Sequence, residues 1–306
     1  MNTKVLQNNK RRDKIIRIIL QGMTIISALF IVIIIGIVVY RGIGPFVKDY
    51  NGVTVNFFKF ISGTRYYAPL YRIGYIIINT IYVVILAIIL SVPIAVLTAL
   101  FVVKMAPKFL SKTIATAVEV LASIPSIIFG MFGKGFVVKG VIWLAGLFGI
   151  STAGGMGNLA SAIVLAMMIL PTITTMSISA IKSVPIEMEQ GSLALGASPI
   201  QTMFNINLRG AIPGIFAGII IGVGRALGEA TAVTMVAGNR GSGPTFGLFE
   251  TTRTLTSTIL TGIHETADQL EYDIRFSIGI VLIFVILIIN YSLNYVRRKI
   301  GKYYET

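Results

Sequence analysis

The sequence predicts an all-α, polytopic membrane protein of about six transmembrane helices with both chain ends on the cytoplasmic side, and three observations lead there. Hydrophobic residues make up 55% of the 306 and charged residues only 12%, with a mean hydropathy of +0.85, outside the range of a soluble domain. Six apolar runs reach the roughly 20 residues that cross a bilayer as helix. Lysine and arginine are biased toward one side of those runs, which sets orientation.

The first run, Ile15–Tyr40, follows a basic tail (1–14). It is too long for the apolar core of a signal peptide and no small-residue cleavage site follows it, so it is a permanent anchor. Residues 41–72 form an external loop rich in aromatics, among them Phe57, Phe58, Phe60, Tyr66, Tyr67 and Tyr71, which suit the membrane interface. The second run, Gly74–Val103, holds Pro93 and the third, Thr113–Phe132, holds Pro125, so each is expected to kink or break. In the third, Ser123 and Ser126 flank the proline and Glu119 lies one turn earlier, either as a packing carboxyl near the inner interface or as a pathway group.

The glycine-rich stretch Gly133–Gly157 contains an apolar run too short to cross alone and reads as re-entrant or interfacial; counted as a span, it would make seven. Asn158–Ala180, Ala211–Val236 and Ile274–Tyr295 are the fourth, fifth and sixth runs, and a basic tail (297–306) closes the chain. With the N-terminus inside, fifteen Lys and Arg fall on the inner side, close to span ends, and ten on the outer side, spread through longer loops.

The formal net charge of +14 therefore serves insertion and the anionic inner leaflet. No folded basic domain exists to bind nucleic acid. Cysteine is absent, which excludes disulfides and thiolate chemistry. The single histidine, His264, sits near Glu265 and Asp268 in a Thr-rich loop; alone it makes no metal site. No G-x-x-x-x-G-K-[ST] cradle is present, so the chain binds no ATP by that route.

The fifth run carries an unusual pair, Arg225 and Glu229, within GVGRALGEATAVTMVAGN (222–239). A charge at mid-bilayer costs at least about 2.5–3.5 kcal/mol on insertion scales. On a continuous helix the two residues share a face, about 60° and 20° around the axis from Gly222. Gly210, Gly214, Gly218 and Gly222 recur at every fourth position, a stripe on which another helix packs closely. Two readings stay open: a salt bridge that only neutralises itself, or a part in anion passage.

Between the fourth and fifth runs, Pro185 followed by Glu187 and Glu189 marks a helix start with acids in its first turn. Gly196 ends that helix and Pro199 begins another. The result is a compact cytoplasmic knob (182–209) suited to a groove on a partner.

At this loop the chain resembles the permease subunits of ABC importers, whose coupling loop carries an EAA motif. Gln190, Gly191 and Ser192 occupy its opening positions, Gly196 its glycine, and Ile206, Asn207, Leu208 and Arg209 its I-x-L-P ending. Glutamine stands for the usual glutamate, with Glu189 adjacent, and Arg209 for the terminal proline. The stretches GRALGEATAVTMVAGN and EVLASIPSIIFGMFG (119–133) are similar to the PstC type within that family.

The resemblance implies a type I ABC importer permease domain over 73–296 in a bacterial or archaeal cell membrane, itself without cofactor and not an enzyme. It also implies a PstA-like sister permease, two PstB-like ATPases that bind ATP and Mg, a PstS-like phosphate-binding protein and a PhoU-like regulator. In that setting Arg225, Glu229, Glu119, Ser123 and Ser126 are the candidate pathway residues; Glu187, Glu189, Gln190, Gly191, Ser192, Gly196 and Leu208 couple to the ATPase; Gly214, Gly218 and Gly222 pack the helix. An ABC permease for another oxyanion or solute, an ion-driven secondary transporter and a membrane phosphate sensor are the alternatives.

Overall fold

A computed structural model describes residues 3–50, 52–263 and 268–304; His264 and Glu265 lie outside them. Helices dominate: α1 (Thr3–Val47), α2 (Phe57–Ser62), α3 (Gly74–Leu100), α4 (Lys108–Ser123), α5 (Ser126–Phe132), α6 (Val138–Leu147), α7 (Asn158–Lys182), α8 (Ile186–Ala194), α9 (Pro199–Thr202), α10 (Arg209–Gly228), α11 (Thr231–Val236), α12 (Leu255–Leu260) and α13 (Gln269–Tyr304). A two-residue hairpin, β1 (Tyr66–Tyr67) and β2 (Leu70–Tyr71), pairs Tyr66 with Tyr71 antiparallel in the outer loop. Three π-helical turns, Phe101–Met105, Gly133–Val137 and Met203–Leu208, adjoin these helices.

Six helical stretches among the described residues are long and apolar enough to cross a membrane: Asp13–Val47, Gly74–Met105, Ser126–Leu147, Asn158–Lys182, Pro199–Gly228 and Gln269–Lys299. The number matches the sequence reading; the third boundary does not. The chain breaks at Ile124–Pro125, where Ile124 is extended (φ −67°, ψ 126°), so the expected span Thr113–Phe132 is divided between α4 and α5. The helix then continues through Gly133, Gly135 and Gly140 to Leu147, in place of the expected re-entrant piece. Glycine weakens helices in water, but a bilayer leaves the backbone no other partner for its polar groups. Pro93, by contrast, lies inside a helix that runs on through it.

The centre of the bundle is α7, packed against α3 on one side and α10 on the other. Val83, Val84, Ala87, Leu165, Ile169, Ile173, Val223 and Leu227 form their shared core. Small side chains such as Ala87 and Ala95 let the helices approach, as expected where packing rather than hydrophobic expulsion drives association in lipid.

The C-terminal part of α1 packs on α13, where Val38 and Gly42 lie against Gly279, Phe276 and Ile280. There Ser277 donates its hydroxyl to the Gly42 carbonyl at 2.7 Å. The two helices are antiparallel, which sends the start of α1 and the end of α13 to one end of the bundle. The α8–α9 knob is at that same end, because Arg297 of α13 donates Nε–H to the Pro213 carbonyl of α10 at 3.2 Å.

Candidate functional site

α10 is held against α7 by its glycines. A Cβ added to Gly214 would stand 2.5 Å from the Ala180 Cβ, one on Gly218 2.7 Å from the Met176 Cβ, and one on Gly222 3.1 Å from the Ile173 Cγ1. The stripe is therefore a seam between two helices. Arg225 emerges at its edge, exposed on the outer face of the isolated chain, with Nη1 donating to the Thr172 hydroxyl of α7 at 3.4 Å.

On α7, Thr172, which meets Arg225, is half-buried, and Thr175 and Ser179, farther along the same helix toward its end, are exposed, three polar residues at helical spacing. Sequence reasoning missed them. The sequence does not single them out, because Thr174 and Ser177 stand among them as further hydroxyls and only the fold shows those two buried.

The expected Arg225–Glu229 ion pair is not formed among the described residues. α10 ends at Gly228, and Glu229 is extended (φ −75°, ψ 114°), so the i,i+4 geometry of a continuous helix is lost. The Glu229 carboxylate instead accepts the Ala232 N–H at 2.9 Å in the first turn of α11, meeting one of the donors that every helix start leaves open. The Glu229 carbonyl accepts the hydroxyl of Thr256 at 2.7 Å.

The remaining pathway candidates stand apart from these two. Glu119 and Ser123 are exposed on α4, and Ser126 is half-buried at the start of α5. The Ser123 hydroxyl returns to the Val120 carbonyl at 2.7 Å. None of the three hydrogen-bonds to Arg225 or Glu229 among the described residues.

The knob is a cross-braced unit. α8 starts behind Pro185 and carries Glu187 and Glu189 in its first turn. Gly196 turns the chain with φ +87°, a left-handed conformation that favours glycine. Ser198 then caps α9, accepting the Gln201 N–H while the Gln201 side chain accepts the Ser198 N–H, a reciprocal capping box. The hydroxyls of Ser192 and Thr202 pair at 2.9 Å. Glu187, Gln190, Gly191 and Gly196 are exposed, Glu189, Ser192 and Leu208 half-buried. Ile186, Met188, Leu195 and Ile200 point apolar surface outward, as a docking face does.

At the opposite end a buried polar network fixes the outer loops. Asn79 of α3 accepts the Thr245 N–H at 3.0 Å and donates to its hydroxyl at 3.3 Å. Asn158 donates to the carbonyls of Thr245 and Gly247 at 3.1 and 2.9 Å. Arg275, which loop-charge reasoning places simply outside, is buried, bonded to the carbonyls of Thr258, Ile259 and Thr261 and to Glu271 at 2.9 Å. It satisfies the open carbonyls at the end of α12. Asp273, also buried, accepts from Tyr50 at 2.7 Å and pairs with Arg41 at 3.5 Å. Burial and that hydrogen bond push the Tyr50 phenol up to about 12.

Comparison with known proteins agrees with this architecture. Residues 77–302 match the family of binding-protein-dependent transport system inner membrane components. A probable ABC transporter permease protein, YqgH of Bacillus subtilis, is 34% identical over 76% of this chain and 74% of its own length. The phosphate transport system permease protein PstC of Mesorhizobium japonicum is 29% identical over 95% and 92%, and that of Pasteurella multocida 32% identical over 70% of each. Among solved structures, a bacterial ABC transporter involved in import of the acidic polysaccharide alginate superposes with a TM-score of 0.65 at 18% identity, covering 96% of this chain and 98% of that one. The MetNI methionine ABC transporter does so at 0.52 and 20% identity, over 74% and 94%. Six spans, a glycine-seamed α7–α10 pair and a braced knob at the end shared by both termini thus belong to a type I importer permease, and the chain is a member of the binding-protein-dependent transport system inner membrane component family.

Proposed function

We propose that this chain is the PstC-type permease subunit of an ATP-driven phosphate importer in a bacterial or archaeal cell membrane. The observation that carries the reading is Arg225: a guanidinium within a span, exposed on a face shared with Thr172, Thr175 and Ser179. Turned to acyl chains that charge is costly. Covered by a PstA-like sister permease, the same face becomes one wall of a polar conduit. Arginine suits phosphate because its planar fork donates two parallel hydrogen bonds. Glu229, whose Oε1 is taken by Ala232, offers Oε2 to a protonated phosphate oxygen, which fully ionised sulfate lacks. Glu119, Ser123 and Ser126 line the approach from the α4–α5 break.

The knob faces the cytoplasm and docks on the pair of PstB-like ATPases that lie beneath the two permeases and bind ATP and Mg; this chain carries no cofactor and catalyses nothing itself. A PstS-like binding protein delivers phosphate to the outer end, and a PhoU-like regulator acts on the complex. Movement of residues 187–208 rocks α10 and switches access from outside to inside. Purification of the solubilised complex, identification of its subunits, and labelled-phosphate uptake into proteoliposomes test this. Uptake dependent on ATP and resistant to excess sulfate is expected; uptake of sulfate or molybdate in preference to phosphate would overturn the assignment.

A further inference from the structure

We infer that the ion pair between Lys104, at the inner end of α3, and Glu189, on α8, is a second mechanical link from the knob to the transport face, beside the covalent link into α10. This rests on the reading of the knob as the ATPase docking surface.

The grip of α8 on the end of α3 depends on that pair, while farther along the knob Met203 enters a buried apolar cluster with Ala99 and Leu100 of α3. α8 buries none of its residues, and a groove of about 160 Å³, lined by Lys104, Met105, Glu189, Leu193, Ile200 and Met203 among others, opens between it and the end of α3. Apolar packing therefore contributes little between α8 itself and α3. The two charged side chains are only 19% and 23% exposed, so solvent screens them less than an open surface pair.

Lys104 is itself well anchored. It lies on the π-helical turn Phe101–Met105, where the Ser111 hydroxyl donates to the Val102 carbonyl at 2.9 Å and the Ala106 N–H to the Phe101 carbonyl at 2.8 Å. Such turns recur at functional positions in helices. The other π-helical turn beside the knob, Met203–Leu208, leads directly into α10.

From Lys104, α3 runs unbroken to the outer end. There Asn79 holds Thr245, the Thr80 hydroxyl accepts the Leu255 N–H at 3.0 Å, and Tyr82 donates to the Phe246 carbonyl at 2.7 Å. The segment those residues hold ends in Thr256, which grips the Glu229 carbonyl. A displacement of Glu189 thus reaches the break beyond Arg225 by two physical routes, one through α10 and one through α3 and residues 245–256. Lys104 is a positioning residue whose role is to keep the outer segment in step with the knob.

The test uses the intact complex in proteoliposomes, with Lys104→Glu, Glu189→Lys and the double exchange. Two ratios are read: phosphate moved per ATP hydrolysed, and stimulation of hydrolysis by the binding protein, which needs no phosphate transport. Each single reversal is expected to lower both ratios by about fivefold or more, with subunits still copurifying, and the double exchange to restore them. Unchanged ratios in the single variants, or a double exchange as defective as either single one, would overturn the proposal. A merely structural pair would alter subunit yield without moving the ratios. If the wild-type complex moves no phosphate, the proposed solute fails, and the stimulation ratio alone still decides the role of the pair.

Discussion

Thr256 donates its hydroxyl to the main-chain carbonyl of Glu229 at 2.7 Å, fastening the end of α10 to a segment that α3 holds from the other side. Thr256 is buried, so Thr256→Val leaves that carbonyl short of a donor at a cost of about 1–3 kcal/mol. Thermal unfolding of the purified subunit should show this loss and a near-normal Thr256→Ser; equal stability of all three would refute a stabilising role for the bond.

Glu229 acts locally as an acceptor for the start of α11. Glu229→Gln retains an oxygen there and should unfold close to wild type, whereas Glu229→Ala loses the cap and about 0.5–2 kcal/mol. The glutamine variant thereby isolates charge from structure: a change in its phosphate-to-sulfate preference, read by competition, reports the carboxylate's part in selectivity.

The α7–α10 seam should tolerate no added carbon. Gly214→Ala puts a Cβ 2.5 Å from that of Ala180, and overpacking of this kind costs about 1–3 kcal/mol. Ala180→Gly in the same chain should recover part of it. Gly224, off the seam and with no atom within 4 Å of an added Cβ, supplies the control: Gly224→Ala should fall within about 0.5 kcal/mol of wild type.

Alkaline pH should loosen the outer end. The Tyr50 phenol is raised from 10.0 to about 12 by burial and by its bond to Asp273, and Tyr71 to about 12 by burial and the nearby Glu271 and Asp268 carboxylates. The folded chain thus holds these protons more tightly than the unfolded one. Their contribution is complete below the unfolded value and is lost as pH rises from about 10 toward about 12. Circular dichroism across that window should show falling stability, with a shallower fall in Tyr50→Phe; a flat profile would contradict the assignment.

Much of this architecture is legible in the sequence because the physics of lipid is severe. Hydropathy marks the six spans, and Pro185, Gly196 and Pro199 punctuate the knob where its helices start and turn. The break after Gly228 is hidden because Ala230–Val236 is as apolar as the helix before it, and hydropathy reports composition, whereas the break depends on hydrogen-bond continuity. The same blindness misplaces the third span. Pro125 signals the break, but the three glycines that follow argue against a helix the bilayer enforces. Arg275 counts as an outer-side charge in the sequence and Asp273 carries no signal there; only the fold shows them buried, one against the end of α12 and the other against Tyr50 and Arg41.

The most direct test of the central claim, that the face bearing Arg225 lines the conduit, is ATP-driven phosphate uptake by complexes carrying Arg225→Ala and Arg225→Lys. Assembly and ATP hydrolysis should persist while uptake falls by about tenfold or more in the alanine variant, with partial recovery in lysine, which keeps the charge without the planar fork. Uptake and anion preference unchanged in the alanine variant would contradict the claim.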